Sequence, residues 1–126
     1  MLFLLSFIHG NESCMKTNHT GFNPEYGKDE PTLEQVNGLT GVTILEFGAP
    51  WCRHCQAAEP AVREVLTEYS TYHHIKIYDG KAKRLGRAFR VKLWPTLILL
   101  REGKEVARLV RPLLADEIRK LVAHAE

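Results

Sequence analysis

Hydrophobic and polar positions follow two different periods along this 126-residue chain. Short apolar runs, rich in β-branched residues, fall at residues 42–47, 75–78 and 96–100, and each run is typical of a buried strand. Residues 105–110 follow a tight turn at Glu102 and Gly103, so we expect them to pair antiparallel with the third run as a hairpin. These segments together predict a central sheet of about four strands.

Helical periodicity occupies the intervals between the predicted strands. The predicted helices cover residues 32–37, 52–72, 83–89 and 115–124. Pro31 and Gly38 mark the ends of the first helix. Pro60 lies inside the second, where a proline removes a backbone hydrogen bond and bends the helix. This order of elements predicts an α/β fold in which helices cover both faces of a mixed sheet.

The first 30 residues do not follow this pattern. Residues 1–8 are apolar, but they are too short to span a bilayer and lack the basic residues that open a secretory signal. A misassigned start upstream of Met15, a clipped export signal and a packed segment all stay open as explanations. Residues 9–30 are polar and predict a flexible lead-in, with an absent or irregular edge strand before the first helix. We therefore expect a flexible or non-structural segment at 1–30 and one domain at 31–126.

Composition and charge exclude several classes of function. The chain is 44% hydrophobic and 25% charged, which is ordinary for a globular domain, and its net charge of +2 indicates no particular partner. No aromatic residues are interleaved on the predicted helical face of one basic run, so we expect no nucleic-acid binding. That run consists of Lys81, Lys83, Arg84, Arg87, Arg90 and Lys92. We also expect a monomer without stable membrane association.

The strongest chemical signal is the pair Cys52 and Cys55, at the predicted junction of a strand and a helix. The first turn of a helix has unpaired N–H groups and a positive dipole end, and both favour a thiolate, which is the reactive form of cysteine. Cys55 lies one turn deeper on the same face, within reach of a disulfide with Cys52. This spacing predicts Cys52 as the nucleophile and Cys55 as the thiol that resolves the mixed disulfide.

Two other interpretations of the cysteine pair were weighed. A structural disulfide that closes only two intervening residues constrains little chain entropy, so a redox role explains the pair better. Zinc bound by the pair with His54, His73 and His74 is disfavoured, because zinc sites use a second ligand pair at separated spacing. We therefore expect no metal. Three cysteines are too few for a disulfide-rich scaffold, and Cys14 is expected to have no catalytic role.

The Trp-Cys-x-x-Cys sequence at residues 51–55, directly after a predicted strand, resembles the active-site signature of the thioredoxin superfamily. Pro60 matches the helix-kinking proline of that family, and residues 91–96 match the segment that carries its cis-proline. The resemblance covers residues 32–126. It implies a thioredoxin-like fold and a thiol–disulfide oxidoreductase that acts on protein disulfides. It also implies no bound cofactor, because the dithiol carries the electrons, and a separate reductase or oxidant that recharges it.

The resemblance also assigns expected roles to residues outside the cysteine pair. Glu46 would be the buried acid that exchanges a proton with Cys55. An isolated buried carboxylate is costly, and Lys76 is its candidate partner, although the register of that strand leaves the pairing open. If strand alternation turned Glu46 outward, it would be an ordinary exposed residue. Pro95 is expected to be cis and to lie opposite Cys52, so that a substrate strand pairs with the backbone of Trp94. Trp51 and Trp94 would form the rim of this groove.

The residues around the cysteines are more similar to protein disulfide isomerase domains than to bacterial thioredoxins. His54 between the cysteines, with Arg53 beside it, would stabilise the Cys52 thiolate, unless both are simply solvated surface residues. Arg53 replaces the glycine usual in that branch, and Gly48 replaces a bulky aromatic. We expect a cytoplasmic thioredoxin-like reductase. The alternatives are an exported oxidant or isomerase, and a binding or chaperone module whose dithiol is incidental.

Overall fold

The computed structural model describes residues 20–27, 29–80 and 83–126. Within these residues, four strands form one sheet in the order β2-β1-β3-β4. The strands are β1 (Val42–Gly48), β2 (His73–Tyr78), β3 (Thr96–Arg101) and β4 (Lys104–Val110). β1 is parallel to β2 and antiparallel to β3, and β3 and β4 form an antiparallel hairpin. The predicted mixed sheet of four strands is confirmed.

Helices pack on both faces of this sheet, as the element order predicts. They are α1 (Leu33–Asn37), α2 (Arg53–Glu68), α3 (Arg84–Ala88) and α4 (Ala115–Ala123). The prediction that the second helix runs to Tyr72 is wrong, because α2 ends at Glu68 and β2 begins two residues earlier than expected. No glycine or proline marks this helix end in the sequence. The carbonyl of Tyr72 instead accepts the backbone N–H of Gly21, a contact from a distant segment.

Strand alternation divides the core between the two faces of the sheet. Ile44, Leu97 and Leu99 face α2 and α4, whereas Leu45 and Phe47 face the opposite side. The second layer is completed by Val36 of α1, Leu85 of α3, and Ile98 and Leu100 of β3. Because successive side chains of a strand point to opposite faces, β1 and β3 supply both layers and lie at the centre of the domain. No helix in the described residues is long and apolar enough to span a membrane.

Residues 20–27 run along the outer edge of β2. Thr20 and Gly27 form isolated bridges with His73 and Ile77, and the N–H of Gly27 donates to the carbonyl of Lys76 over 3.0 Å. The expectation of a flexible lead-in therefore does not hold for residues 20–27, whereas that of an irregular edge strand is confirmed. The domain boundary at residue 31 stays a prediction. The alternatives for residues 1–8 and the expectation for Cys14 lie outside the described residues.

Candidate active site

The two cysteines lie where the chain passes from β1 into α2, as predicted. Cys52 is the N-cap residue of α2, and its sulfur accepts the backbone N–H of Cys55 over 3.2 Å. Both cysteines are free thiols, and both are nearly buried, with 8% of Cys52 and 4% of Cys55 exposed. An N-cap acceptor at the positive end of a helix is stabilised as an anion. The Cys52 sulfur therefore lies where a backbone N–H and the end of α2 both point at it.

The outer side of the dithiol is a groove formed by two tryptophans and a proline. The Trp94–Pro95 peptide bond is cis, as expected. The rings of Trp51 and Trp94 meet edge to face with centroids 5.5 Å apart, and Trp94 packs against the cluster that contains both cysteines. Trp51 is 61% exposed, and its indole N–H donates to the hydroxyl of Tyr78 over 3.0 Å. Trp51, Trp94 and Pro95 are thus brought together beside the cysteines.

Two residues that the sequence analysis missed hold Trp94 in place. The buried carboxylate of Asp79 accepts the indole N–H of Trp94 over 2.9 Å. Arg111 donates from Nε to the carbonyl of Trp94 over 2.8 Å, and its backbone N–H donates to the carbonyl of Pro95. A polar residue directly after a buried strand was an available signal for Asp79, although the pattern predicted only a turn there. Nothing in the sequence pattern indicated Arg111.

Arg53 and His54 are exposed at the first turn of α2. A charge on either side chain would act on Cys52 from the solvent side, where salt and water weaken electrostatic interactions. An exposed position fits both expectations from the sequence, namely that Arg53 and His54 stabilise the Cys52 thiolate and that they are simply solvated surface residues. The role of both residues in tuning the dithiol stays a prediction.

The inner side of the dithiol contains Tyr26, which the sequence analysis assigned to the lead-in. The Tyr26 hydroxyl and the Cys55 sulfur lie beside the same position at Gly48. A Cβ atom placed on Gly48 would lie 2.6 Å from the Cys55 sulfur and 2.9 Å from the Tyr26 oxygen. Both atoms therefore occupy space that any side chain at position 48 would need. The glycine noted above as a departure from a bulky aromatic is what admits the aromatic ring of Tyr26.

The environment of Cys55 keeps its thiol protonated. Burial and the hydrogen bond with Cys52 raise the pKa of Cys55 from its ordinary value of 9.0 to about 12, whereas hydrogen bonds with the Ala49 backbone and with Tyr26 lower it. Burial, with smaller contributions from Glu46 and Cys55, raises the pKa of Tyr26 well above its ordinary range. Cys55 and Tyr26 are both protonated near neutral pH. Cys55 is therefore poorly suited to make the first attack.

Glu46 is buried, as expected, but its partner is not Lys76. Its side chain is 3% exposed, and Oε1 lies 2.8 Å from Nε2 of the buried His74. Lys76 is opposite Glu46 in the strand register, yet its Nζ donates to the carbonyl of Pro24 over 3.1 Å. The expectation of a Glu46–Lys76 pair is therefore wrong. His74 and Lys76 share one face of β2, so strand alternation could not distinguish them.

The hydrogen bonds of His74 determine which of its ring nitrogens carries the proton. The backbone N–H of Asn23 donates to Nδ1 of His74 over 2.9 Å. Because a backbone N–H is always a donor, Nδ1 is unprotonated, and the neutral imidazole has its proton on Nε2. His74 therefore donates to Glu46, and protonating the ring would break its contact with Asn23. The described residues contain no cluster of three His, Cys, Asp or Glu side chains that could bind a metal ion.

A helix-capping dithiol after a central strand, beside a cis-proline on a mixed sheet, is the arrangement of thiol–disulfide oxidoreductases with a thioredoxin fold. The family model described as Thioredoxin matches residues 28–124, so this chain belongs to the thioredoxin family. The predicted class of enzyme is thereby confirmed.

Individual relatives agree with this assignment. The structure of thioredoxin 2 from Pseudomonas aeruginosa PAO1 in its reduced form is 43% identical, with a TM-score of 0.74, over 82% of this chain and 97% of that chain. Thioredoxin H2-1 of Oryza sativa subsp. japonica is 31% identical over 101 residues, which is 80% of this chain and 70% of that protein. Thioredoxin H7 of Arabidopsis thaliana is 24% identical over 123 residues, or 95% of each chain.

Proposed function

We propose that this protein is a reductase of protein disulfides in which Cys52 attacks and Cys55 resolves. The difference between the two thiols is the observation that supports this division. The Cys52 sulfur caps α2 and accepts the N–H of Cys55, an arrangement that favours a thiolate. Burial raises the pKa of Cys55 to about 12, so this thiol stays protonated while Cys52 forms the mixed disulfide with the substrate.

Two exchanges of sulfur make up the reaction. The Cys52 thiolate attacks one sulfur of the substrate disulfide, a Cys52–substrate bond forms, and the other substrate sulfur leaves as a thiolate that takes up a proton. Cys55 then loses its proton and attacks the Cys52 sulfur, which releases the remaining substrate sulfur and leaves a Cys52–Cys55 disulfide. Two electrons pass from the dithiol to the substrate. A separate reductase must return two electrons and two protons before the next cycle.

Glu46 is proposed to take part in the proton exchange of Cys55. It is buried on β1, and its negative charge contributes to the raised pKa of Tyr26, whose hydroxyl lies beside Cys55. The hydrogen bond from His74 keeps Glu46 in the core as an acceptor. His54 and Arg53 are proposed to add a smaller electrostatic stabilisation of the Cys52 thiolate from the solvent side.

The substrate is proposed to bind as an extended segment along the groove of Trp51, Trp94 and Pro95. The exposed ring of Trp51 offers an apolar surface, and the backbone of Trp94 offers hydrogen bonds for strand addition. Arg111 already donates to the carbonyl of Trp94, so a substrate that uses this oxygen must share it with Arg111. A reductase that is recharged by another reductase works in a reducing compartment. We therefore retain a cytoplasmic monomer as part of the proposal.

The reduction potential of the Cys52–Cys55 pair tests the proposal. We expect about −270 mV by equilibration against glutathione, which is the level of a thioredoxin-type reductase. A potential of about −180 mV or higher would indicate the oxidant or isomerase alternative, which His54 and the isomerase-like residues favour. A variant with both cysteines replaced by serine provides the control. If that variant retained full activity toward unfolded proteins, the binding-module alternative would be supported.

A further inference from the structure

We infer that Tyr26 is a further catalytic residue, whose hydroxyl donates a hydrogen bond to the Cys55 thiolate while Cys55 resolves the mixed disulfide. This inference rests on the proposed reductase function and concerns its second step. It adds a catalytic group from outside the Trp-Cys-x-x-Cys segment.

Three observations place the hydroxyl against the reacting sulfur. The Tyr26 hydroxyl lowers the pKa of Cys55, which is the direction expected of a donor beside the sulfur. Both atoms converge on the space left by the missing side chain of Gly48, at 2.9 and 2.6 Å from the position of its Cβ. Both residues also line one cavity of about 500 Å³ on the inner side of the dithiol, together with Lys76 and Tyr78. Tyr26 and Cys55 therefore meet at the wall of a cavity that opens to solvent.

Contacts with β2 hold Tyr26 in this position. The N–H of Gly27, the next residue, donates to the carbonyl of Lys76 over 3.0 Å. The ammonium group of Lys76 lies 4.3 Å from the centre of the Tyr26 ring and donates to the carbonyl of Pro24. A cation over an aromatic ring is attracted to it, so the diverted Lys76 restrains the ring from its face. The lysine expected to pair with Glu46 instead orients Tyr26.

The chemistry of the second step gives the hydroxyl a defined role. As the Cys55 thiolate attacks, the Cys52–Cys55 bond forms and the bond from Cys52 to the substrate breaks. The dithiol is then oxidised by two electrons and the substrate reduced. The proton that Cys55 loses to solvent is balanced by the proton that the departing substrate thiolate takes up. Tyr26 keeps its own proton throughout, because burial raises its pKa, and it therefore acts only as a donor.

The test separates the two steps of the reaction with Tyr26→Phe. Reduced protein is mixed with oxidised glutathione, samples are quenched with acid, and the mixed disulfide at Cys52 is followed by mass spectrometry. We expect the first step to change by less than about twofold, because Tyr26 interacts more strongly with Cys55 than with Cys52. The second step should slow by about tenfold, the effect of losing one hydrogen bond to a charged group. The glutathione adduct would then accumulate.

Two further variants provide the controls. Tyr69→Phe removes the hydroxyl from a ring that packs against the Tyr72 ring in a different cluster, and both steps should keep their wild-type rates. Gly48→Ala should displace the Tyr26 hydroxyl and also slow the second step, with an effect that is less than additive to Tyr26→Phe. If Tyr26→Phe does not fold, as judged by its circular dichroism, Lys76→Met carries the test, because it removes the cation that orients the Tyr26 ring and adds no atom beside the Cys55 sulfur. The second step should again slow while the first step is unchanged.

The outcomes distinguish this inference from the proposed function. If the glutathione adduct forms on Tyr26→Phe and resolves at the wild-type rate, the hydroxyl has no catalytic role and the inference is wrong. If wild-type protein forms no adduct at Cys52 and no Cys52–Cys55 disulfide, the proposed reductase function itself fails. A slowed second step with an unchanged first step supports both.

Discussion

The two thiols face regions of the molecule that are built in different ways. The groove on the outer side contains Trp51 next to Cys52, and Trp94 before the cis-proline, so it consists of residues that belong to recognisable motifs. The inner side contains a cavity lined by Tyr26 and Lys76, and His74 pairs with the buried Glu46; these three residues belong to none of those motifs. In the proposed function, the exposed region presents the substrate to Cys52, and the buried region controls the protonation of Cys55. The difference separates recognition from proton control.

The largest effect should come from the thiols themselves. Cys52→Ser should lower protein disulfide reduction by more than about a thousandfold, because an alcohol is a far weaker nucleophile than a thiolate. Cys55→Ser should instead form the Cys52–substrate disulfide and fail to release it, which mass spectrometry of the adduct would show. Cys14→Ser is the matched control and should retain wild-type turnover. Equal trapping of substrate by Cys52→Ser and Cys55→Ser would contradict the assigned order of attack.

Substitutions among the buried residues should lower the free energy of unfolding more than substitutions at exposed positions beside the dithiol. His74→Leu removes the donor to Glu46 and leaves a carboxylate unpaired in the core, so we expect a loss of about 3 kcal/mol in the free energy of unfolding. Urea denaturation measures this. His54→Leu, the same change at an exposed position, should stay within about 0.5 kcal/mol. The double variant Glu46→Leu with His74→Leu should recover part of the loss, because no unpaired charge remains.

Alkaline pH should lower the free energy of unfolding through the buried thiol of Cys55. Because the pKa of Cys55 is raised from 9.0 to about 12, the folded protein holds this proton more tightly than the unfolded chain does. The resulting stabilisation is complete below about pH 9 and is lost as the pH rises toward about 12. Unfolding free energies measured across this range should fall less steeply for Cys55→Ala than for wild type. Parallel curves for the two proteins would show that Cys55 does not contribute.

The smallest effect on activity is expected from a substitution of Trp51, on the outer side of the dithiol. Trp51→Ala should raise the KM for a protein disulfide by about threefold, because an exposed apolar contact with the substrate is lost. Reduction of a small disulfide and the free energy of unfolding should hardly change, since the ring is 61% exposed. Leu33→Ala, at a residue 45% exposed on α1, is the matched control and should leave both substrates unaffected. A loss of stability above about 1 kcal/mol for Trp51→Ala would contradict the proposed division.

Sequence reasoning succeeded where a single local pattern decides the outcome. Three apolar runs and one tight turn located the four strands of the described sheet, and the resemblance of the Pro95 segment to a known family indicated the cis-proline. Sequence reasoning failed where contacts between distant segments decide which residues meet. The alternation of β2 could not choose between His74 and Lys76 as the partner of Glu46, because the backbone N–H of Asn23 fixes the tautomer that donates to the acid. Polar residues 20–27 looked like a lead-in, and only their backbone contacts with β2 make them an edge.

The sequence by itself determined that this protein has a helix-capping dithiol on a mixed sheet, because hydrophobic periodicity, proline positions and cysteine spacing act over a few residues. The tertiary structure alone decided what surrounds the second thiol. Tyr26 reaches Cys55 from a segment about 30 residues away, through space that exists only because position 48 is glycine. Such contacts depend on which strand edges remain unpaired after the core has packed, and a local sequence pattern does not show which edges those are.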